Sequence, residues 1–460
     1  MAIAETSEEK PAFILKLSMS YTAAIDQLNA LAPELYTGAG HQRRKFSLDE
    51  VHTLLEALGN PQACFPSVLV AGTNGKGSTA ATLGSILTAS GLHVGLYTSP
   101  HLERPNERIR VDHAEISDEG FAESYFRVRS AAEQLVQEGR LPQIPSFFEI
   151  LTAQAFLCFA GAGIDIAVLE VGMGGRLDAT NVVEPLVSVI TDISLDHMEW
   201  LGSTISAITR EKAGILRHNG TMITLPQHPE ANQVLGEVAI ELGVRGVSAV
   251  PYMPEGTAGA AGPYWIEALG TRIEVDSPLK GAHQHRNLAL AIATAVELKE
   301  RHSLPVSAKS IAEGIRLTQW PGRLEPLVQN GREWILDVAH NPAGAWALRA
   351  GLREVLGDRP AEILVFSCLR DKPVAELAQI LFPVFRRVIV APIHSARAAT
   401  LEELLAAARA TGTPVTAAES VSAALQLAEE QAEGGVIVVS GSVYLVGEAR
   451  TMLRMGKSAQ

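Results

Sequence analysis

The sequence is poor in cysteine, in aromatic side chains and in positive charge, and it has no long uninterrupted hydrophobic run. Three cysteines, Cys64, Cys158 and Cys368, lie far apart in 460 residues. That excludes a disulfide framework and any paired zinc spacing, and it points to a reducing compartment, with each thiol read as a small buried hydrophobe. Aromatics make up 5% while hydrophobic residues total 47%, so the core is expected to be built from Ala, Val, Leu and Ile. Lys plus Arg number 38 against 51 Asp plus Glu, a net charge of −13. An acidic chain has no global field for nucleic acid or an anionic membrane, so a polyanionic ligand must be held by a local device. The most apolar stretch, 150–169, is broken by Thr152, Gln154, two glycines and Asp165. It reads as a buried helix followed by a strand, not as a membrane span. The first ten residues lack the basic start and apolar core of a signal peptide. A cytoplasmic protein, with no nucleic-acid or membrane partner, is expected.

What is present is alternation. Tyr21 to Leu35 has helical spacing, and Ser47 with Glu50 three residues on predicts a capping box for a helix ending at Gly59. Thr37 to Lys45 is a polar, glycine-containing stretch between them. Strands are expected at Ser67 to Ala71, His93 to Tyr97, Ile164 to Val171, Val187 to Thr191 and Thr221 to Leu225. Helices are expected at Ser78 to Ser90, Phe147 to Phe159, Ile205 to Ile215 and, starting at Asn287, to Lys299. Met253 to Pro263 reads as a loop and Tyr264 to Val275 as a small hairpin. A second alternating block begins near Glu333, with strands near 334, 363, 387, 414 and 436. Val- and Ile-rich strands alternating with helices predict parallel sheets covered on both faces. Pro321 and Gly322 make Thr318 to Glu325 the expected hinge between two α/β units, 1–319 and 320–460.

The strongest chemical signal is Gly72-Thr73-Asn74-Gly75-Lys76-Gly77-Ser78-Thr79 between a strand and a helix. Small residues expose backbone N–H groups that can wrap phosphate oxygens, Lys76 adds a point charge and Ser78 a hydroxyl. Gly77 between Lys76 and Ser78 departs from the usual G-x-x-x-x-G-K-[ST] spacing. Glu170 ends a very apolar strand, where a carboxylate is costly unless a metal or hydrogen bonds hold it. Taken alone, His197 reads as a loop histidine, Ser99 as a turn residue before Pro100, Lys212 as part of a solvated helix face, Asn287 as a helix cap and Arg323 as a surface arginine.

In combination these segments carry a resemblance. GTNGKGS looks like the phosphate loop of the Mur ligase superfamily in the form carried by folylpolyglutamate synthase and dihydrofolate synthase. The likeness continues in order through YTSPHL (97–102), SFFEILTAQAF (146–156), EVGMGGRLDATN (170–181), DHMEWLG (196–202), REKAGI (210–215), GAHQHRN (281–287), PGRLE (321–325) and DVAHNP (337–342). Met173 and Met198 are mild departures; the larger one is around Gly38 to Arg44, where the family often has a pterin-binding segment. The resemblance implies an N-terminal P-loop ATPase domain of Mur ligase type plus a smaller C-terminal Rossmann-like α/β domain. It implies ATP held by Asn74, Gly75, Lys76, Gly77, Ser78, Thr79, Asn287, Arg323 and Asp337. Mg²⁺ is implied at Ser99, Glu170 and His197, and a CO₂-derived carbamate (N6-carboxylysine) on Lys212. Lys76, Lys212 and His340 are the catalytic candidates. Ser146, Phe147, Phe148, Glu149, Leu177, Asp178 and Ala179 are the pteroate candidates, and Ser442 a contact for the incoming amino acid.

The implied reaction is ATP-dependent amide ligation by a monomer. A carboxylate of dihydropteroate or of a reduced folate becomes an acyl phosphate, which the amine of L-glutamate attacks. SFFE and LDAT favour an enzyme with both activities; an enzyme extending folates only, or another Mur-type amino-acid ligase, is the alternative. A nucleotide-dependent regulator with slow ATP hydrolysis belongs to a different class. Loss of Glu170, His197 or Lys212 would have pointed there, and all three are present.

Overall fold

The structure, a computed structural model, describes residues 20–31, 47–255 and 262–455. The first sheet contains β1 (Ser67–Ala71), β2 (Val94–Tyr97), β3 (Ile109–Val111), β4 (Ala114–Glu115), β5 (Ile166–Glu170), β6 (Val187–Ile190), β7 (Thr221–Thr224) and β8 (Arg245–Ser248). Their order across the sheet is β4-β3-β2-β5-β1-β6-β7-β8. Only the β2–β3 and β3–β4 pairs are antiparallel. Every residue of β1, β2, β5 and β6 is buried. These strands are covered on both faces, and so they read as mainly apolar runs instead of alternating ones, with Ser67, Glu170 and Ser188 the buried polar exceptions.

Two apolar clusters sandwich this sheet. One is built around the helix Phe147–Ala162, the other around the helices Lys76–Ala89, Ala282–His302 and Ala308–Leu317. The helices 76–89 and 308–317 meet backbone to backbone. A Cβ on Gly314 would lie 2.3 Å from Ile86 Cα, and Ser85 Oγ donates to Gly314 O at 2.6 Å. A small antiparallel hairpin, β9 (Tyr264–Ala268) and β10 (Thr271–Val275), forms a separate two-stranded sheet whose Ile266, Ala268, Ile273 and Val275 join the second cluster.

The second sheet holds β11 (Glu325–Gln329), β12 (Arg332–Asp337), β13 (Ala361–Phe366), β14 (Arg387–Val390), β15 (Val415–Ala417) and β16 (Val436–Ser440), in the order β11-β12-β16-β13-β14-β15. All pairs are parallel except β11–β12. The two lobes touch closely: a Cβ on Gly447, in the helix Val443–Met455, would fall 1.8 Å from Leu102 O.

Several local expectations are corrected. The first helix is Tyr21–Asn29, and its predicted continuation to residue 35 lies outside the described residues, as do Thr37 to Lys45 and the middle of Met253 to Pro263. Ser47 does not cap its helix; that helix is Asp49–Ala57 with Leu48 at the cap, and Ser47 Oγ instead accepts the Asp49 amide at 3.2 Å. Asn287 does not begin a helix. The helix starts at Ala282 after Gly281 (φ 97°), because Gln284 is buried and His283 half-buried, although both are polar enough to read as loop. Cys64 is exposed, not buried; Cys158 is partly buried and Cys368 fully. Among the described residues no helix is long and apolar enough to cross a membrane.

Candidate active site

In an open parallel sheet, ligands collect beyond the carboxyl ends of the strands. The chain leaves β1 at Ala71 into the loop 72–75, and Gly75 (φ 87°) caps the helix Lys76–Ala89. The end of β6 holds that loop, since Thr73 N and Asn74 N both donate to Asp192 O at 2.8 and 3.1 Å. Glycine is required at three positions here: a Cβ on Gly72 (φ 152°) would fall 1.8 Å from Thr191 Oγ1. A Cβ on Gly75 would sit 2.1 Å from Asn287 Oδ1, and one on Gly77 would sit 2.6 Å from Trp320 Cζ2. Lys76 Nζ donates to Thr73 O at 3.2 Å and faces the mouth of the loop.

A cavity of about 410 Å³ opens on this loop. Of the residues expected at the nucleotide and metal, Asn74 to Ser78, Ser99, Glu170, His197, Lys212, Asn287, Arg323, Asp337 and His340 all line it. Thr79 does not; it is buried beneath, its hydroxyl without a protein partner. A second cavity, of about 350 Å³, adjoins the first and shares Ser99, His197 and His340 with it. Phe148, Glu149, Leu177, Asp178, Ala179 and Ser442 line this one. Ser146 and Phe147, expected with them, are not among its lining residues. Ser146 Oγ caps the helix Phe147–Ala162, accepting the Glu149 amide at 3.4 Å, and the Phe147 ring lies under the Arg108 guanidinium at 5.2 Å. On a helix, neighbours point about 100° apart, so Phe147 and Phe148 cannot flank one ring. Asp178 has a second duty as well, accepting the amides of Met173 and Thr180 at 2.9 and 3.0 Å.

The electrostatics follow from burial. Glu170, 4% exposed, accepts Ser99 N at 3.0 Å. Burial pushes its carboxyl up, with Lys76 the chief opposing charge. Lys212 is not on a solvated face: it is 4% exposed and donates from Nζ to Gly72 O at 2.7 Å. Burial, then repulsion from Lys76, lowers its pKa to about 7. His197 and His340 are each lowered to about 4, by burial first and by Lys372 second, so both are neutral at physiological pH. Asp337 accepts Leu324 N and Ala339 N, both at 2.9 Å; burial raises its carboxyl and Arg323 opposes that.

Four side chains were not singled out from the sequence: Asp196, Lys372, Gln284 and Arg108. Asp196 accepts from Lys372 Nζ at 2.6 Å and from Asn341 Nδ2 at 3.1 Å. Burial opposes its ionisation, but His197, Lys372 and His340 together hold its carboxyl below the usual range. Gln284 lines the nucleotide cavity with its Nε2 buried and unpartnered, while its Oε1 accepts from Asn287 at 2.8 Å. Arg108 reaches the acceptor cavity, its Nε donating to His101 Nδ1 at 2.9 Å. Asp196 and Gln284 sat inside quoted motifs, so position in a motif was the available signal; nothing local marked Lys372 or Arg108.

Comparison with known proteins adds the following. Residues 70–295 match the Mur ligase middle domain, and residues 322–443 match the Mur ligase glutamate ligase domain. A folylpolyglutamate synthase of Lacticaseibacillus casei is 34% identical over 96% of this chain and 100% of its own length. A dihydrofolate synthase/folylpolyglutamate synthase of Mycobacterium tuberculosis is 34% identical over 88% of this chain and 90% of its own. Among solved structures, M. tuberculosis folylpolyglutamate synthase complexed with ADP and AMPPCP superposes with a TM-score of 0.82 at 34% identity, covering 89% of this chain and 95% of that one. E. coli FolC in complex with DHPP and ADP gives 0.81 at 31%, covering 95% and 98%.

Proposed function

The chain belongs to the Mur ligase family, on its folylpolyglutamate synthase/dihydrofolate synthase branch, and is an ATP-dependent amino-acid ligase; from that premise we propose that it joins L-glutamate both to dihydropteroate and to reduced folates. One observation carries the reading: a nucleotide-sized cavity on a phosphate loop runs into a second cavity, with Ser99, His197 and His340 at the junction. A γ-phosphate at the loop and a carboxylate in the second cavity would meet there.

The chain's own groups divide the work. Amides of 74–78 and the Lys76 ammonium bind the phosphates, and Arg323 approaches them from the linker. The Gln284 amide offers a donor to the nucleotide that has no protein partner. Asp337 at the end of β12 takes ribose or phosphate contacts. Phe148 supplies an apolar face to the acceptor ring. Ser442 is placed to meet the incoming glutamate. The carboxylate attacks the γ-phosphorus, ADP leaves, and the glutamate amine displaces phosphate from the acyl phosphate. His340, neutral near pH 7, is placed to accept the proton that this amine loses.

The donor set fits a hard cation: a buried carboxylate raised by desolvation, a hydroxyl and a neutral imidazole. Ser99, Glu170 and His197 would hold Mg²⁺, which when bound supplies positive charge against phosphate oxygens. Among the described residues no three His, Cys, Asp or Glu converge on a metal position, so hydroxyl, phosphate and water oxygens would complete its shell.

The lobes divide at 319/320 in this reading, with Trp320 to Arg323 as the hinge. We infer a monomer in the cytoplasm; the exposed free thiol of Cys64 suits a reducing compartment. Phosphate release from ATP by purified protein tests the function. It should require L-glutamate together with dihydropteroate or tetrahydrofolate; release independent of both would favour a regulator instead.

A further inference from the structure

We propose that Asp196 is a positioning residue that ties the second lobe to the phosphate loop, so that the two halves of the ligase site are aligned through one buried carboxylate. This rests on the ligase reading above. Asp196 follows β6 in the first lobe. Its partners come from the second: Lys372 Nζ at 2.6 Å on Oδ1 and Asn341 Nδ2 at 3.1 Å on Oδ2. Asn341 Nδ2 also donates to Asn74 Oδ1 at 3.0 Å. The contacts therefore run from the loop that wraps phosphate, through Asn341 and Asp196, to Lys372 in the acceptor cavity.

The side chains of Asp196 and Lys372 are 9% and 5% exposed. In such a setting an ion pair is weakly screened and its geometry is fixed by what surrounds it. His197 Nε2 and His340 Nε2 stand 4.0 and 3.9 Å from Asp196 Oδ2. Asp196 is thus the point at which the wall between the two cavities is fastened. Other contacts also join the lobes, such as Glu354 Oε2 accepting the Ala282 amide at 3.0 Å. Asp196 differs in reaching, through Asn341, the loop where the nucleotide is expected.

Asp196→Asn keeps the shape and an acceptor for Asn341 but removes the counter-charge of Lys372. With the full-length enzyme, kcat should fall about a hundredfold, the cost of roughly an ångström of misplacement, while the Kd for ADP stays within about twofold. Lys372→Met should act in the same direction. The double variant should be no worse than the worse single one, because both changes break one coupling. Multiplying effects would mean independent roles and would overturn the proposal. So would an unchanged kcat in Asp196→Asn, or a loss of kcat and ADP affinity in parallel with melting temperature. Small-angle scattering with ADP alone supplies a readout that needs no acceptor: wild type should compact and Asp196→Asn should compact less, and equal compaction counts against the proposal. If wild type compacts but turns over no folate substrate, the substrate assignment fails while the positioning role stands.

Discussion

Lys212 is the most exposing place to test the chemistry. Its pKa is lowered to about 7 by burial and by Lys76, against about 10.4 for a free lysine. At pH 7 about half of it is therefore the neutral amine, where a solvent-exposed lysine has well under a thousandth. Only the neutral amine attacks CO₂, forming the N–C bond and releasing a proton to leave a carbamate. Nucleophilicity falls with basicity, and a Brønsted slope of about 0.5, taken from thiolates, returns some fiftyfold of that gain. The net advantage is still about tenfold or more over a surface lysine. The resulting anion would replace a buried cation beside Lys76 with a favourable pair. Enzyme in CO₂-free buffer should lose activity and regain it with bicarbonate, more readily as pH rises through about 7. Carbon-13 bicarbonate should give one protected carbamate signal that Lys212→Met lacks. That variant should also lose ~10²–10³ in kcat and about 1–3 kcal/mol of stability, because Gly72 O is left without its donor. A destabilised variant with no bicarbonate dependence and no labelled signal in wild type would refute the reasoning, leaving Lys212 a structural donor.

Glu170→Gln should lower kcat by about 10²–10³ and abolish any strengthening of ADP binding by magnesium, read by calorimetry. Phe148→Ala should raise the KM for the acceptor and, since the ring also packs on Gly172 and Tyr97, cost ~3–5 kcal/mol in denaturant unfolding; an unchanged KM would remove Phe148 from the acceptor site. Gly314→Ala forces apart the helices 76–89 and 308–317 and should cost about 1–3 kcal/mol, seen as a lower Tm with substrate KM values unchanged.

The order of the elements was legible because each strand advertises its own burial: SVLVA and IAVLE are apolar but for Ser67 and Glu170 at their ends, and lie where expected, as β1 and β5. The glycine loop was legible for the same reason, its backbone demands being local. Boundaries were less so. Leu48 took the cap from Ser47, and five residues, four of them polar, joined the helix before Asn287, since a helix end depends on what covers it. Phe147 and Phe148 are adjacent and chemically alike, yet only Phe148 reaches the cavity.

By itself, then, the sequence determined two blocks of alternating strands and helices with mostly parallel pairing, a phosphate-binding turn at the end of β1 and a carboxylate at the end of β5, because strand burial and turn chemistry are properties of consecutive residues. It also supplied the family, through motifs in a fixed order. Only the tertiary structure decided that Lys212 is buried against Gly72, that Cys64 is exposed, and that Asp196 pairs with Lys372, 176 residues away. Burial and ion pairing are set by which surfaces meet when the lobes pack, and nothing in a local window of sequence encodes that meeting.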